Sequence, residues 1–227
     1  LADDYTLWSW LAWGVAGTLG ILGVLRSLPQ QQWPFEQHRD FYLNTLQAPV
    51  ALLLCAWLIY GNLTHSGGGS GLPYLPVLNP FDLIQLLAMF AVWKWLRATQ
   101  SQLLPALYGI AFLWISAEAA RLTHHWDDVP FEKHYLLASS TLQASLSILW
   151  TAIAMGVMVV ASRSKQRATW FYGFALLAIV GVKLMMIDLF NKGTALWTAS
   201  LIGIALLIIA ASYFSPAPPR DEVRTPN

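Results

Sequence analysis

Seven apolar stretches dominate this sequence, and each is long enough to cross a lipid bilayer as a helix. A hydrocarbon core of about 30 Å is spanned by roughly 17–25 apolar residues. Runs of this length lie at residues 5–25, 41–60, 80–96, 103–121, 136–161, 170–187 and 196–214. Because a bilayer offers no water to the backbone, such segments satisfy their own hydrogen bonds as helices. The sequence therefore predicts an all-α, polytopic membrane protein, a bundle of about seven transmembrane helices.

The composition agrees with a lipid environment. Hydrophobic residues make up 56% of the chain and charged residues 11%, against about 25% charged residues in ordinary soluble domains. With a net charge of +1 and no basic tract, we expect membrane lipids and not nucleic acid as partners. The single cysteine, Cys55, lies inside the second run. It excludes a disulfide or a cysteine-ligated metal site within one chain and is interpreted as a packing residue.

The distribution of Lys and Arg between the connections predicts the orientation. One side of the membrane receives Arg26, Arg39, Lys94, Arg97, Arg163, Lys165, Arg167, Arg220 and Arg224. The other side receives only Arg121, Lys133 and Lys192. Since cytoplasmic loops carry the excess of positive charge, the N-terminus is predicted outside. The Pro-rich tail, residues 215–227, is predicted in the cytoplasm.

The longest outer connection, residues 61–79, has two parts of different character. Residues 65–71 are rich in Gly and Ser and predict a flexible hinge. Residues 72–80 mix Pro with apolar residues, which suits an extended segment along the bundle, either a lid or a packed connection. Asn79 followed by Pro80 predicts a helix that begins with Asn79 as its N-cap.

Ionisable residues inside or beside the apolar runs gather toward the predicted outer side. They are Asp82, Glu118, Arg121, His124, His125, Lys183 and Asp188. A charge facing lipid at a helix centre costs at least a few kcal/mol, so such residues pair with one another or face protein or water. We therefore predict a polar, charged site near the outer membrane face.

The fourth run carries the clearest charged pattern. Glu118, Arg121 and His125 stand at i, i+3 and i+7, which places them on one stripe of a helix. Two interpretations are open. In the first, Glu118 and Arg121 neutralise each other, as buried charges usually do. In the second, Arg121 binds an anion and the neighbouring Glu118 acts as a base.

Residues of the types that bind metal ions follow the fourth run, at positions 124–128 (His-His-Trp-Asp-Asp). Zinc sites need three or four ligands at defined spacing, such as two His at i and i+4 on a helix, and this pattern is missing even if His134 is added. A solvated helix end is the commoner explanation. We predict no metal and no cofactor.

The fifth and sixth runs contain further polar residues. Ser140, Gln143, Ser147 and Trp150 share one helix face. That pattern favours helix packing, with Gln143 also a candidate for substrate binding. No Gly-x-Ser-x-Gly elbow supports a serine nucleophile.

Lys183 is the most costly residue of the sixth run. Asp188 lies five positions later and about 140° around the helix, so the two do not pair naturally. Partners from other helices are implied, such as Asp82 or Glu118. Lys183 is then either half of a structural ion pair or a lysine that binds substrate or handles protons.

Several blocks together resemble a known family. They are residues 72–83, 116–126, 143–150, 182–184 with 188–189, and 213–219. They look like the C-terminal part of the bacterial predicted membrane protein family called domain of unknown function 2339. The resemblance implies a long polytopic protein of the bacterial inner membrane, with this chain as its last seven helices. It brings no settled activity, and Trp197 stands where the family pattern has an arginine.

The start of the chain agrees with that expectation. It opens at Leu1 and enters an apolar run within five residues, without the basic region of a signal peptide. We therefore expect a further N-terminal membrane portion of the same protein as a partner.

Three functions compete, and whether the protein is an enzyme stays open. In the first, it binds or processes an anionic or glycan-type envelope substrate. Glu118 and Asp82 are then the catalytic candidates, and the substrate-binding candidates are Arg121, Lys183, Asp188, Gln143 and His125. The second is a transporter or permeation module, although transporter sites usually lie near the midplane on broken helices. The third is a non-catalytic membrane scaffold in which the charges are structural.

Overall fold

The computed structural model describes residues 2–27, 37–68 and 74–191, with isolated positions at 202, 205 and 209. Within these ranges the chain forms seven α-helices and one π-helical turn, and no strand. The helices are α1 (Ala2–Ser27), α2 (Gln47–Thr64), α3 (Pro80–Ala98), α4 (Leu104–Trp126), α5 (Lys133–Ala138), α6 (Ser140–Arg163) and α7 (Arg167–Asn191), and the π-helical turn Phe41–Leu46 leads into α2. The all-α prediction is confirmed. The run predicted at 196–214 and the tail 215–227 lie outside the described residues.

Among the described residues, four helical segments are long and apolar enough to cross a membrane. They are Leu7–Ser27, Phe41–Thr64, Ser140–Arg163 and Arg167–Met186. Large apolar side chains on these segments point away from the protein, for example Trp13 (75% exposed) and Ile148 (73% exposed). Apolar surface of this kind needs a lipid partner. The individual boundaries of the seven predicted spans stay predictions.

The start of α3 follows from its sequence. Asn79 is the N-cap, and its Oδ1 accepts a hydrogen bond of 2.9 Å from the backbone N–H of Asp82. Pro80 occupies the first turn, where its missing N–H costs nothing. The predicted helix start is confirmed, and it fixes Asp82 in the first turn of α3.

The fifth predicted run, residues 136–161, contains a helix boundary. Ser139 has an extended backbone, with φ −69° and ψ 119°, so α5 ends before it and α6 begins at Ser140. The chain divides at this point into two compact units, Leu1–Ser139 and Ser140–Asn227.

The first unit packs α1 against α2 and α3. Gly14 on α1 faces Trp57 on α2, and a Cβ at Gly14 would lie 2.5 Å from the Trp57 ring. A residue without a side chain is therefore needed for this close approach. Leu58, Phe81 and Ala88 are fully buried in the resulting core.

The second unit is built on the pairing of α6 with α7. Its core contains Ala154, Met158 and Leu177. Gly173 on α7 lies so close to α6 that a Cβ there would approach the backbone oxygen of Ala154 to 2.9 Å. Small residues at this contact bring the two backbones together, as in many membrane helix pairs.

Candidate functional site

Arg121 lies at the centre of a buried charged cluster in the first unit. Its side chain is completely buried. Nη1 donates to Asp82 Oδ1 at 3.0 Å and to Glu118 Oε2 at 2.7 Å, and Nη2 donates to Asn62 Oδ1 at 2.6 Å. The guanidinium also lies 4.9 Å from the centre of the Phe81 ring. One arginine thus joins side chains from α2, α3 and α4.

The N-terminus of α3 and one indole hold Asp82 in place. Asn79 Nδ2 donates to Asp82 Oδ2, and Trp114 Nε1 donates to Asp82 Oδ1 at 3.2 Å. Together with Arg121, these groups give the carboxylate three side-chain donors from three different residues. A fully buried carboxylate needs this degree of hydrogen bonding to offset its lost hydration.

Glu118 joins the cluster to the connection between α2 and α3. Its Oε1 accepts hydrogen bonds from the Tyr74 hydroxyl at 2.9 Å and from the Val77 backbone N–H at 3.0 Å. Val77 has φ 66°, a left-handed conformation that is unfavourable for a β-branched residue. Strain of this kind persists only where surrounding contacts impose it, and the hydrogen bond to Glu118 is one such contact.

The described part of the Gly/Ser-rich segment, residues 65–68, also contacts the cluster. Arg121 Nε donates to the His65 oxygen at 3.4 Å. Gly67 has φ 74°, and a Cβ there would lie 3.2 Å from Arg121 Cδ. Residues 69–71 of the predicted hinge lie outside the described residues. The contacts of residues 65–68 show that this part of the connection is packed onto Arg121.

His125 lies beside the same connection. Its ring stacks on Tyr74 with 4.1 Å between the ring centres, and its Nε2 is 2.9 Å from the Ser66 oxygen. A carbonyl only accepts, so Nε2 must carry the proton. Burial lowers the pKa of His125 below 6.5, with His124 and Arg121 acting in the same direction. His125 is therefore a neutral donor at neutral pH.

Two other groups of the connection between α2 and α3 have shifted pKa values. Burial, and next the charge of Glu118, raises the pKa of Tyr74 well above its ordinary value. Burial, and next the charge of Arg121, lowers the pKa of His65. Tyr74 therefore stays a protonated donor to Glu118, while His65 is neutral beside the arginine.

The structure brings together four of the seven residues that the sequence singled out as site candidates. Asp82, Glu118 and Arg121 are in direct contact, and His125 touches the same connection. The pairing of Glu118 with Arg121 is the contact expected from their i, i+3 spacing. The catalytic and substrate-binding roles assigned to these residues stay predictions.

Asn62, Tyr74 and Trp114 also belong to the cluster, and the sequence reasoning missed them. Asn62 lies just beyond the end of the second predicted run, where an amide looks like an ordinary helix end. Tyr74 lies in a connection and Trp114 in the middle of the fourth predicted run, where an aromatic residue looks like ordinary packing. Only their contacts distinguish them.

The other candidates belong to the second unit. Lys183 Nζ donates to the Gln143 backbone oxygen at 2.7 Å and to Ser147 Oγ at 2.8 Å. Gln143 thus contributes its carbonyl to this contact. The side chain of Asp188 lies outside the described residues. The proposed pairing of Lys183 with Asp82 or Glu118 would join the two units, and it stays a prediction.

The residues considered for metal binding have other contacts. His124 Nδ1 is 2.6 Å from the Val129 oxygen, and His125 bonds the Ser66 oxygen. Within residues 2–27, 37–68 and 74–191, no group of three or more His, Cys, Asp or Glu side chains has the arrangement of a metal site.

Comparison with known proteins identifies one family. A family model described as a predicted membrane protein, DUF2339, matches residues 1–218. No curated protein and no solved structure matches the chain.

Proposed function

Because this chain belongs to the predicted membrane protein family DUF2339, we propose that it works as a multi-pass membrane scaffold whose buried charges lock helices together. The observation that carries this proposal is the environment of Arg121. The side chain is fully buried, and three side chains and one backbone oxygen accept its hydrogen bonds. An arginine that binds an anionic substrate needs donors that face an accessible space.

The energetics favour a lock. Removing one partner of a buried ion pair costs about 3–5 kcal/mol, whereas replacing a whole buried pair by well-packed neutral groups is often tolerated. The cluster joins α2, α3 and α4, and Glu118 adds the connection between α2 and α3 through Tyr74 and Val77. A scaffold of this kind keeps its helices in place for a partner membrane segment. We propose a further N-terminal portion of the same protein as that partner, in a bacterial inner membrane.

The test compares a single variant with a charge-free variant. Arg121→Met leaves two buried carboxylates without their cation and should lower the free energy of unfolding by about 3–5 kcal/mol. The charge-free variant combines Asp82→Asn, Glu118→Gln and Arg121→Met. It should recover most of that lost stability and should complement a strain that lacks the gene. Unfolding in detergent micelles and complementation are the measurements. Arg97→Met, at an exposed arginine of α3, is the matched control.

The same variants can overturn the proposal. If the charge-free variant is as stable as the unmodified protein but fails to complement the deletion, the charges act in more than folding. The proposal also fails if Arg121→Met is no less stable than Arg97→Met.

A second candidate is the binding or processing of an anionic or glycan-type envelope substrate at the outer face. The observation in its favour is that two carboxylates share one guanidinium, so one carboxylate is available as a base, and the net negative charge favours a neutral glycan over an anionic substrate. In this proposal Glu118 or Asp82 is the base, and Arg121 and His125 bind the substrate. The binding roles of Lys183, Gln143 and Asp188, in the second unit, stay predictions. Glu118→Gln keeps an oxygen acceptor for Tyr74 and Val77 but loses the acceptor for Arg121 Nη1, so unfolding is measured together with activity to separate the candidates. A stable Glu118→Gln protein without activity in cells supports the enzyme, and a fully active one supports the scaffold.

A further inference from the structure

Two buried donors in the first unit have no acceptor among the described residues. They are Trp10 Nε1 on α1 and Gln85 Nε2 on α3. Leaving a buried donor without a partner costs about 1–3 kcal/mol, and such groups are rare in folded proteins. Both donors therefore indicate an acceptor that the described residues do not supply.

The orientation of the Gln85 amide follows from Arg121. An arginine only donates, so Asn62 must turn its Oδ1 toward Nη2. Asn62 Nδ2 then donates to Gln85 Oε1 at 2.8 Å, which leaves Gln85 Nε2 on the other side of its amide. A flip of either amide would place two donors or two acceptors against each other. The charged cluster therefore determines that the Gln85 atom facing away from Asn62 is the donor Nε2.

The two donors lie on the same side of Gly61. A Cβ at Gly61 would lie 3.3 Å from Trp10 Nε1 and 3.5 Å from Gln85 Nε2. The glycine therefore keeps a side chain away from both nitrogens. The Trp10 ring is held by stacking on Trp57, with 5.8 Å between ring centres, so its N–H has a defined direction.

We propose that Trp10 and Gln85 bind one small neutral oxygen acceptor next to Gly61. Water and a hydroxyl or carbonyl oxygen of a lipid share this chemistry. A neutral acceptor is favoured over an anion because Asp82 and Glu118 already place two negative charges around the single charge of Arg121. The bound oxygen extends the hydrogen-bond network from α4 through α2 and α3 to α1.

Nuclear magnetic resonance of the whole protein in nanodiscs with deuterated lipid acyl chains tests this site. With ¹⁵N-labelled indoles, Trp10 Nε1–H should show a cross-peak to water, or to lipid headgroup or glycerol protons, and the partner identifies the source of the oxygen. Trp57 Nε1 donates to the backbone oxygen of Trp10 at 3.1 Å. The Trp57 indole N–H is therefore the internal control and should show a cross-peak neither to water nor to lipid. Trp10→Phe assigns the resonance.

Two glycine variants sharpen the result. Gly61→Ala places a methyl group within 3.5 Å of both donors and should reduce the cross-peak at least about twofold. Gly20→Ala, where no atom lies within 4 Å of the added Cβ, should leave it unchanged. The proposal is wrong if Trp10 shows no cross-peak in the unmodified protein, if Gly61→Ala and Gly20→Ala behave alike, or if the Trp10 resonance responds to bromide as an anion site would.

Discussion

Arg121 shows how one donor-only side chain organises the polar groups around it. Its guanidinium sets the orientation of the Asn62 amide, which in turn sets that of Gln85. The same group pairs with Asp82 and Glu118. The sequence indicated that buried charges would pair, because unpaired charge is costly in lipid. It did not indicate that two amides would be drawn into the same network.

At the scale of single residues, His125 makes the protein sensitive to acid. The pKa of His125 lies below 6.5 in the folded protein because the ring is buried, and it returns to about 6.5 on unfolding. Below pH 6.5 the unfolded state therefore binds more protons, and stability falls until the pH passes the folded pKa. We expect the titration of His125 to lower the free energy of unfolding in micelles from pH 7 to pH 5.

His125→Phe is the control for this pH dependence. It keeps a ring that can stack on Tyr74 and removes the titrating group. The free energy of unfolding should fall less between pH 7 and pH 5 in His125→Phe than in the unmodified protein, and the lowered pKa of His65 contributes equally to both. An unchanged pH profile in His125→Phe would show that His125 does not contribute.

At the scale of elements, the sequence predicted contacts within a helix and the start of a helix, but it did not predict the contacts that the connections make. The i, i+3 spacing predicted that Glu118 and Arg121 share a face of α4, and they form an ion pair. The Asn79-Pro80 pair predicted the start of α3. The contact of Tyr74 with Glu118 joins residues 44 positions apart, and no local pattern encodes such a distance.

The pairing of α6 with α7 depends on Gly173. A Cβ at this position would lie 2.6 Å from Met158 Cγ and 2.9 Å from the Ala154 oxygen. Gly173→Ala should therefore force the two helices apart and cost about 1–3 kcal/mol, the usual penalty of overpacking. Gly181→Ala, on the same helix with nothing within 4 Å of the added Cβ, should change stability by less than about 1 kcal/mol. Equal unfolding free energies for the two variants would contradict this packing role.

At the scale of the whole molecule, the predicted orientation rests on the distribution of Lys and Arg. It can be tested with single cysteines in a Cys55→Ala background, using the exposed positions Asp127 and Ser164. In spheroplasts, a membrane-impermeant maleimide should label Asp127→Cys directly and Ser164→Cys only after lysis, because the basic α6–α7 connection is predicted inside. The opposite labelling pattern would invert the orientation.

The sequence by itself determined the helical class, the membrane environment and the presence of buried charge. These properties depend on local composition and on the fixed geometry of a helix, and both are readable along the chain. Only the tertiary structure decided which partners Arg121 takes. The connection of residues 65–79 brings His65 and Tyr74 to the cluster, while Asn62 and Asp82 come from separate helices. Such contacts depend on how distant segments pack, so the buried charge predicted from the sequence becomes a defined network only in the folded chain.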